Sequence, residues 1–180
     1  MTPVVNEDLR YPVGKFVMPT ELNASMLAEW RKNLAELPAK LRAAVAGLSD
    51  TQLDTPYRDG GWTVRQTVHH VADSHINAYC RIRLALTEDT PTIKPYLEAK
   101  WAELPDASTL PVAPSLEIID GIHTRLLALV DAVTPEQWQR TFVHPEHGRP
   151  MTIAQTAALY SWHSRHHVAH ITGLRARRGW

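Results

Sequence analysis

The chain has 180 residues, a length typical of one ordinary domain with a real core. Lysine plus arginine and aspartate plus glutamate number 19 each, so no overall field favours nucleic acid or an acidic substrate. The single cysteine excludes an internal disulfide framework, and no apolar run approaches the roughly 18 residues of a membrane span. The first residues lack the basic start and apolar run of a secretory leader. We therefore expect a cytoplasmic protein that binds neither nucleic acid nor membrane.

The first segment, residues 1–19, lacks helical periodicity and contains three prolines, which predicts an extended N-terminal arm. Its apolar side chains favour packing against the rest of the chain. A first helix is predicted to open at Thr20 as N-cap, with an apolar stripe that continues to Leu48. Pro38 lies inside this stripe and removes one backbone hydrogen bond, so we expect a kink or a restart near Leu37.

The second helix is predicted over residues 63–86, starting from a Thr-Val-Arg-Gln capping box. Counting residues around this helix places His70 on a polar face with Asp73, and polar residues on an inward face indicate a cavity. His69 and His75 each fit a packed histidine that makes one hydrogen bond. The count alone favours His70 over His69 without deciding between them.

A long connection follows over residues 87–114, which hold five prolines and one amphipathic stretch, Pro95–Leu104. A connection of this length in a small helical domain predicts a crossover segment with one short helix, which could cover the end of the bundle. A third helix is predicted from Ser115 to Val133. His123 lies on its apolar stripe, where a hydrogen-bonded core histidine is the expected interpretation.

The last helix, predicted over residues 152–174, holds His163, His166, His167 and His170 within eight residues. Side chains four apart on a helix lie one above the other, with Cβ atoms about 5–6 Å apart, so either pair can address one ion. The apolar stripe places His163 and His167 inward and His166 toward an edge, and leaves His170 undecided. A catalytic zinc site typically has three protein ligands, so a third must come from elsewhere in the chain. Four main helices predict an all-α four-helix bundle with a long crossover connection.

Four motifs together resemble the YfiT-like branch of the DinB superfamily. They are Asp-Gly-Gly-Trp-Thr-Val-Arg-Gln at 59–66, His-His-Val-Ala-Asp-Ser-His at 69–75, Leu-Thr-Glu-Asp-Thr-Pro-Thr-Ile-Lys-Pro-Tyr at 86–96 and Trp-His-Ser-Arg-His-His-Val-Ala-His-Ile at 162–171. The resemblance extends over most of the chain. It implies a single DinB-like domain over residues 1–180, folded as a four-helix bundle of up-down-down-up type.

The resemblance also implies one divalent metal per chain, zinc or nickel, held by His70, His163 and His167. It decides between His69 and His70, which the helical count only favoured. Family members are similar in being described as metal-dependent hydrolases and are often homodimers. Some relatives transfer low-molecular-weight thiols, such as bacillithiol, to electrophiles.

Three neutral imidazoles leave a divalent ion with its full charge and an open position, where the pKa of a water or a thiol falls. The ligand set does not separate hydrolysis of a small ester or amide from thiol transfer, and a metal that only staples the bundle is the non-catalytic alternative. Asp73 is the candidate catalytic residue, as a general base or as a hydrogen-bond partner of a ligand. Asn77, Tyr160 and Arg65 are weaker candidates for orienting a small-molecule substrate. Cys80 is expected to be a buried small hydrophobe.

Overall fold

A computed structural model describes residues 9–146 and 148–180. Its elements are helices α1 (Ala24–Val45), α2 (Asp50–Leu53), α3 (Val64–Thr87), α4 (Glu98–Trp101), α5 (Pro105–Ser108) and α6 (Ala113–Ala132), a 3-10 turn (Gln137–Gln139), strands β1 (Thr141–Val143) and β2 (Pro150–Thr152), and helix α7 (Ile153–Arg178). The two strands form a small antiparallel pair. The four long helices α1, α3, α6 and α7 confirm the all-α prediction.

Two clusters of buried apolar side chains fill the bundle. The first core includes Leu34, Ile82, Leu126 and Tyr160, and the second core includes Leu41, Val68, Ile119 and Ile171. Along α1 and α7 the chain passes from the first core to the second, and along α3 and α6 it passes the other way. The bundle therefore has the predicted up-down-down-up order. Helices α1 and α3 both pack against α6 and α7, so α1 and α3 lie diagonally opposite each other in the cross-section of the bundle.

A layer of histidines separates the two cores. His75 lies along α3 between Ala72 and Ala78, His123 lies along α6 between Ile119 and Leu126, and His163 and His167 lie along α7 between Tyr160 and Ile171. We call these four side chains, together with His70, the histidine layer. Burying a polar group without a hydrogen bond costs roughly 1–3 kcal/mol. The layer must therefore satisfy its ring nitrogens internally or through a bound group.

Local signals at the helix starts account for most helix boundaries. The predicted capping boxes at Thr63 and Thr152 are both present, with each side chain accepting from the backbone N–H three residues on. The prediction of Thr20 as the N-cap of α1 is wrong, because Asn23 takes that place and its Oδ1 accepts from Met26 N–H at 3.0 Å. Asparagine is the stronger N-cap of the two. Helix α1 then continues through Pro38 without restarting.

The crossover segment contains two short helices, α4 and α5, where one had been predicted. Pro105 explains the break, because it opens α5 and holds Leu104 in an extended conformation that α4 cannot continue. Hydrogen bonds tie the segment to the rest of the chain near its start and at its middle. Ile93 N–H donates to the Val143 carbonyl of β1 at 3.0 Å, and Gln66 Nε2 donates to the Ala102 carbonyl at 2.8 Å.

The part of the N-terminal arm that the structure describes, residues 9–19, contacts α7. Trp162 Nε1 donates to the Gly14 carbonyl at 3.0 Å, and the rings of Phe16 and Trp162 lie 5.9 Å apart. The first eight residues of the predicted arm lie outside the described residues. Within the described ranges, no helix combines the length and apolar character that crossing a membrane requires.

Candidate metal centre

Three histidines from two helices converge where α3 faces α7. His70 Nε2 lies 3.2 Å from His163 Nε2, and His167 completes a group whose ligand nitrogens all lie within 4.8 Å of one another. Two imidazole nitrogens bound to one tetrahedral zinc at about 2.0–2.1 Å would lie about 3.3 Å apart. The His70–His163 spacing therefore fits a shared divalent ion, and the structure brings together the three residues that the sequence singled out. We call His70, His163 and His167 the triad.

The surroundings of the triad favour neutral imidazoles. Burial lowers the pKa of His70 to about 4, and burial together with repulsion between neighbouring imidazoles lowers the pKa values of His163 and His167 well below their ordinary range. Trp62 covers one side, with its ring 4.5 Å from that of His70 and 6.4 Å from that of His167. A neutral imidazole presents the lone pair that a metal ion requires, so the chemistry of the donor set fits a divalent cation.

The triad opens onto a cavity of about 310 Å³, which is large enough for a small molecule. The other lining residues are Ser74, Arg81, Tyr96, Glu98, His144, Glu146, Leu159, Tyr160, Trp162 and His166. Two of them, Tyr96 and Glu98, come from the crossover segment. The long connection therefore builds one wall of the cavity that holds the triad.

Tyr160 is the predicted orienting residue that the structure places at the cavity. Ser74 Oγ donates to Tyr160 Oη at 3.3 Å, and the Tyr160 ring lies 5.5 Å from that of His163. Burial raises the pKa of Tyr160 above its usual value, so the phenol keeps its proton at neutral pH. A protonated hydroxyl beside the triad can donate a hydrogen bond to a bound ligand.

Asp73 lies on α3 one turn beyond His70, beside the crossover segment rather than among the residues lining this cavity. Burial, with a smaller contribution from Asp106 of α5, raises the pKa of Asp73 to about 6. A carboxyl group with this pKa can exchange a proton near neutral pH. Its role as general base stays a prediction. Asn77 donates to the Asp73 backbone carbonyl at 2.9 Å, which engages its side chain within its own helix.

The structure gives Arg65 a different place from the predicted one. Its guanidinium is 4% exposed and donates to Asp54 at 2.6 Å, to Asp50 at 2.9 Å and to the Leu110 carbonyl at 2.9 Å. Arg65 therefore ties α2 and the crossover segment to α3 and does not line the cavity. The prediction that Cys80 is buried is wrong, because its position on α3 turns away from the neighbouring helices and leaves the thiol exposed.

The remaining histidines of α7, His166 and His170, lie on the side that faces the N-terminal arm, and we call them the arm histidines. His170 Nε2 donates to the Arg10 carbonyl at 3.3 Å, and its ring stacks on Tyr57 at 3.9 Å. His166, predicted at an edge, is buried because its ring stacks on Trp162 at 4.2 Å. Together with His167, the arm histidines also offer nitrogens within 4.8 Å of one another.

His75 and His123 are packed histidines with hydrogen bonds, as the sequence predicts. They also connect to the triad, which the sequence does not indicate. His75 Nε2 lies 3.2 Å from His163 Nδ1, and His75 Nδ1 lies 2.9 Å from His123 Nε2. His123 Nδ1 lies 2.7 Å from the Leu34 carbonyl oxygen of α1. In the sequence, this series of hydrogen bonds is indicated only by one histidine on the apolar stripe of each of two helices.

Comparisons with known proteins agree with this architecture. The family model of the DinB superfamily matches residues 33–171. A Bacillus mycoides protein named "putative metal-dependent hydrolase" is 51% identical over 97% of this chain and 99% of its own length, and a Bacillus cereus protein (strain B4264) of the same kind is 52% identical over 96% and 99%. Among solved structures, YfiT from Bacillus subtilis, described as a probable metal-dependent hydrolase with an unusual four-helix bundle topology, has a TM-score of 0.93 and 48% identity. That alignment covers 96% of this chain and 98% of YfiT.

Proposed function

Because the chain belongs to the DinB superfamily, we propose that it is a divalent-metal-dependent enzyme of the YfiT type, with zinc or nickel held by His70, His163 and His167. The observation that carries the proposal is the convergence of three imidazoles from α3 and α7, two buried and one half-buried, with two Nε2 atoms 3.2 Å apart, in the lining of a cavity. When bound there, a divalent ion supplies a Lewis acid that lowers the pKa of a water or thiol ligand.

The side chains around the triad divide the remaining tasks. Trp62 packs on His70 and His167, which keeps water from that side of the ligands. Tyr160 holds a phenolic proton that can be donated to a substrate oxygen or sulfur. Asp73 has a pKa raised to about 6 and can take up a proton near neutral pH, but it lies on the crossover side of α3, outside the cavity lining.

Transfer of a low-molecular-weight thiol to an electrophile is the specific activity we favour. The cavity presents a cation at Arg81 and carboxylates at Glu98 and Glu146. This mixture suits a small substrate that carries both charges, as thiols built on amino acids do. Hydrolysis of a small ester or amide is the second candidate, and the names of the relatives favour it.

The test is turnover of monochlorobimane by zinc- or nickel-loaded protein, with and without bacillithiol or cysteine. We expect conjugation that depends on the thiol and is lost in His70→Ala. His69→Ala is the matched control, because it removes a buried imidazole next to His70 on α3 that lies outside the triad and outside the cavity lining. Turnover of p-nitrophenyl acetate without any thiol, lost in His70→Ala, would instead establish the hydrolase. Absence of both activities in metal-loaded protein would leave the metal as a structural staple.

A further inference from the structure

The carbonyl group of Leu34 has lost its usual partner within α1. In an α-helix the carbonyl of each residue accepts from the N–H four residues on, and for Leu34 that residue is Pro38, which has no N–H. His123 of α6 provides the replacement donor, with Nδ1 2.7 Å from the Leu34 oxygen. Leu34 and His123 are each 1% exposed, so no water competes for this bond. The proline inside α1 therefore creates a buried acceptor for a neighbouring helix.

This acceptor fixes the direction of the hydrogen bonds that follow. A carbonyl oxygen only accepts, so the proton of the bond lies on His123 Nδ1. Burial lowers the pKa of His123 to about 4, which keeps the ring neutral and leaves Nε2 as an acceptor. The atom opposite is His75 Nδ1 at 2.9 Å, which must then be the donor. The fully buried ring of His75, donating at Nδ1, presents its own Nε2 as an acceptor.

The last bond of the series reaches the triad. His163 Nδ1 lies 3.2 Å from His75 Nε2 and is therefore the donor. A neutral imidazole carries one proton, so His163 Nε2 has a free lone pair. That atom is the one that lies 3.2 Å from His70 Nε2 at the cavity. The series from Leu34 thus determines which nitrogen of His163 is available.

We propose that the Leu34 carbonyl, His123 and His75 act as positioning groups that hold His163 as its Nδ1–H tautomer, with the Nε2 lone pair directed at the metal. The inference rests on the proposed ligation by His163. Histidine ligands usually donate their second N–H to a carboxylate, a carbonyl or water, and this partner orients the ring. Here two imidazoles stand between the ligand and the carbonyl. His167 differs, because its Nδ1 has no hydrogen-bond partner among the residues that the structure describes.

The first test reads the tautomers directly, by long-range ¹H–¹⁵N correlation spectra of the metal-free protein. We expect Nδ1–H tautomers at His75, His123 and His163. In His123→Leu the acceptor for His75 Nδ1 disappears, so the proton of His75 can move to Nε2 and donate to His163, whose own proton then lies on Nε2. A packing role alone would not move this proton. An Nε2–H tautomer at His163 in the unaltered protein, or an unchanged His163 tautomer in His123→Leu, would overturn the proposal.

The second test is zinc affinity, measured by competition with a chromophoric chelator. His123→Leu should weaken zinc binding by about 10–100-fold, the usual range for loss of a ligand's hydrogen-bond partner. His123→Asn should restore most of it, since the amide can donate to Leu34 and accept from His75. His69→Leu is the matched control. His69 is also buried between α3 and α6, bonded to Ser115 Oγ at 2.7 Å, but has no bond to the triad.

We call the hydrogen bonds from the Leu34 carbonyl through His123 and His75 to His163 the relay. Equal losses of zinc affinity in His123→Leu and His69→Leu, or no rescue by His123→Asn, would show that only packing matters and would refute the relay. The two tests also separate this proposal from the metal assignment. The tautomers are read without metal, so a protein with the expected tautomers that bound no zinc would refute the metal assignment alone. A protein that bound zinc tightly with His163 as the Nε2–H tautomer when metal-free would refute the relay alone.

Discussion

Helix α7 carries two histidine pairs of identical spacing that face different surroundings. His163 and His167 face α3, where His70 supplies a third imidazole and a cavity lies alongside. His166 and His170 lie toward the N-terminal arm, where the Arg10 carbonyl meets His170 and the Tyr11 ring meets His166, although His166 also lines the cavity. Spacing of four residues therefore produces a pair, but the element packed opposite determines what the pair can do.

The two histidine pairs of α7 also differ in the kind of structure that packs against them. The triad side is built from long helices that share a buried polar layer, with the relay bonds of 2.7–3.2 Å behind His163. The arm side depends on a segment without helical structure, whose backbone carbonyl groups accept hydrogen bonds from Trp162 and His170. A metal site requires fixed ligands, since ligand geometry must be held closely. This contrast favours the triad over the arm histidines as the binding group.

Removal of single imidazoles tests the contrast most strongly. His163→Ala and His167→Ala should each reduce metal affinity by more than about 100-fold, because loss of a ligand exceeds the effect of losing its partner. His166→Ala should retain its metal. Elemental analysis of purified variants gives the answer. If the metal were held by the arm group instead, His70→Ala would keep its metal and His170→Ala would lose it.

Low pH should destabilise the folded protein through buried histidines on both the triad side and the arm side of α7. Added metal should act only through the triad. Burial lowers the pKa values of His123, His166 and His170 to about 4, whereas the unfolded chain titrates near 6.5. Between these values the unfolded state binds more protons, so stability is full above pH 6.5 and is lost as pH falls toward 4. His123 alone accounts for roughly 3 kcal/mol, at 1.36 kcal/mol per pKa unit.

Urea unfolding of the metal-free protein at pH 7 and pH 4.5 measures this loss. Zinc should raise the free energy of unfolding at pH 7 by binding to the triad of the folded protein. In His70→Ala the zinc effect should be absent while the acid sensitivity remains. A free energy of unfolding that stayed constant over this pH range would contradict the neutral, buried state of these histidines.

The smallest expected effect concerns the arm. Gly14 has φ +78°, and a Cβ there would meet no atom within 4 Å, so only backbone strain opposes a side chain. Gly14→Ala should cost about 1 kcal/mol of stability, the order of a left-handed residue with a Cβ. Metal content should stay unchanged, since the arm contributes no triad ligand. Thermal unfolding measures the change in stability and elemental analysis measures the metal content. A loss of metal would show that the arm contributes to the metal site.

Local features were predictable because they depend on neighbours in the sequence. The capping boxes, the stripe of α7 and the inward pair His163 and His167 all follow from spacing within one helix. The start of α1 was misplaced because two residues in one short stretch, Thr20 and Asn23, can both cap a helix. Cys80 was misjudged because helical counting shows which residues share a face but not how far the neighbouring helices extend over it.

Features that join helices were harder to predict. Counting around α3 did not decide between His69 and His70, because the choice depends on which side meets α7. The connection from His163 through His75 to His123 involves three helices and a carbonyl of a fourth. Pro38 looked like a possible break in α1, and its effect on the Leu34 carbonyl becomes visible only when α6 is placed beside it.

The separation of the triad along the chain has a consequence for biosynthesis. His70 and His163 are 93 residues apart, and α1 and α7 pack against each other across most of the sequence. During translation the first three long helices emerge without the one that completes both cores, so the bundle must close after the segment beyond residue 152 leaves the ribosome. A metal ion held by the triad would accordingly be bound only late in the synthesis of the polypeptide.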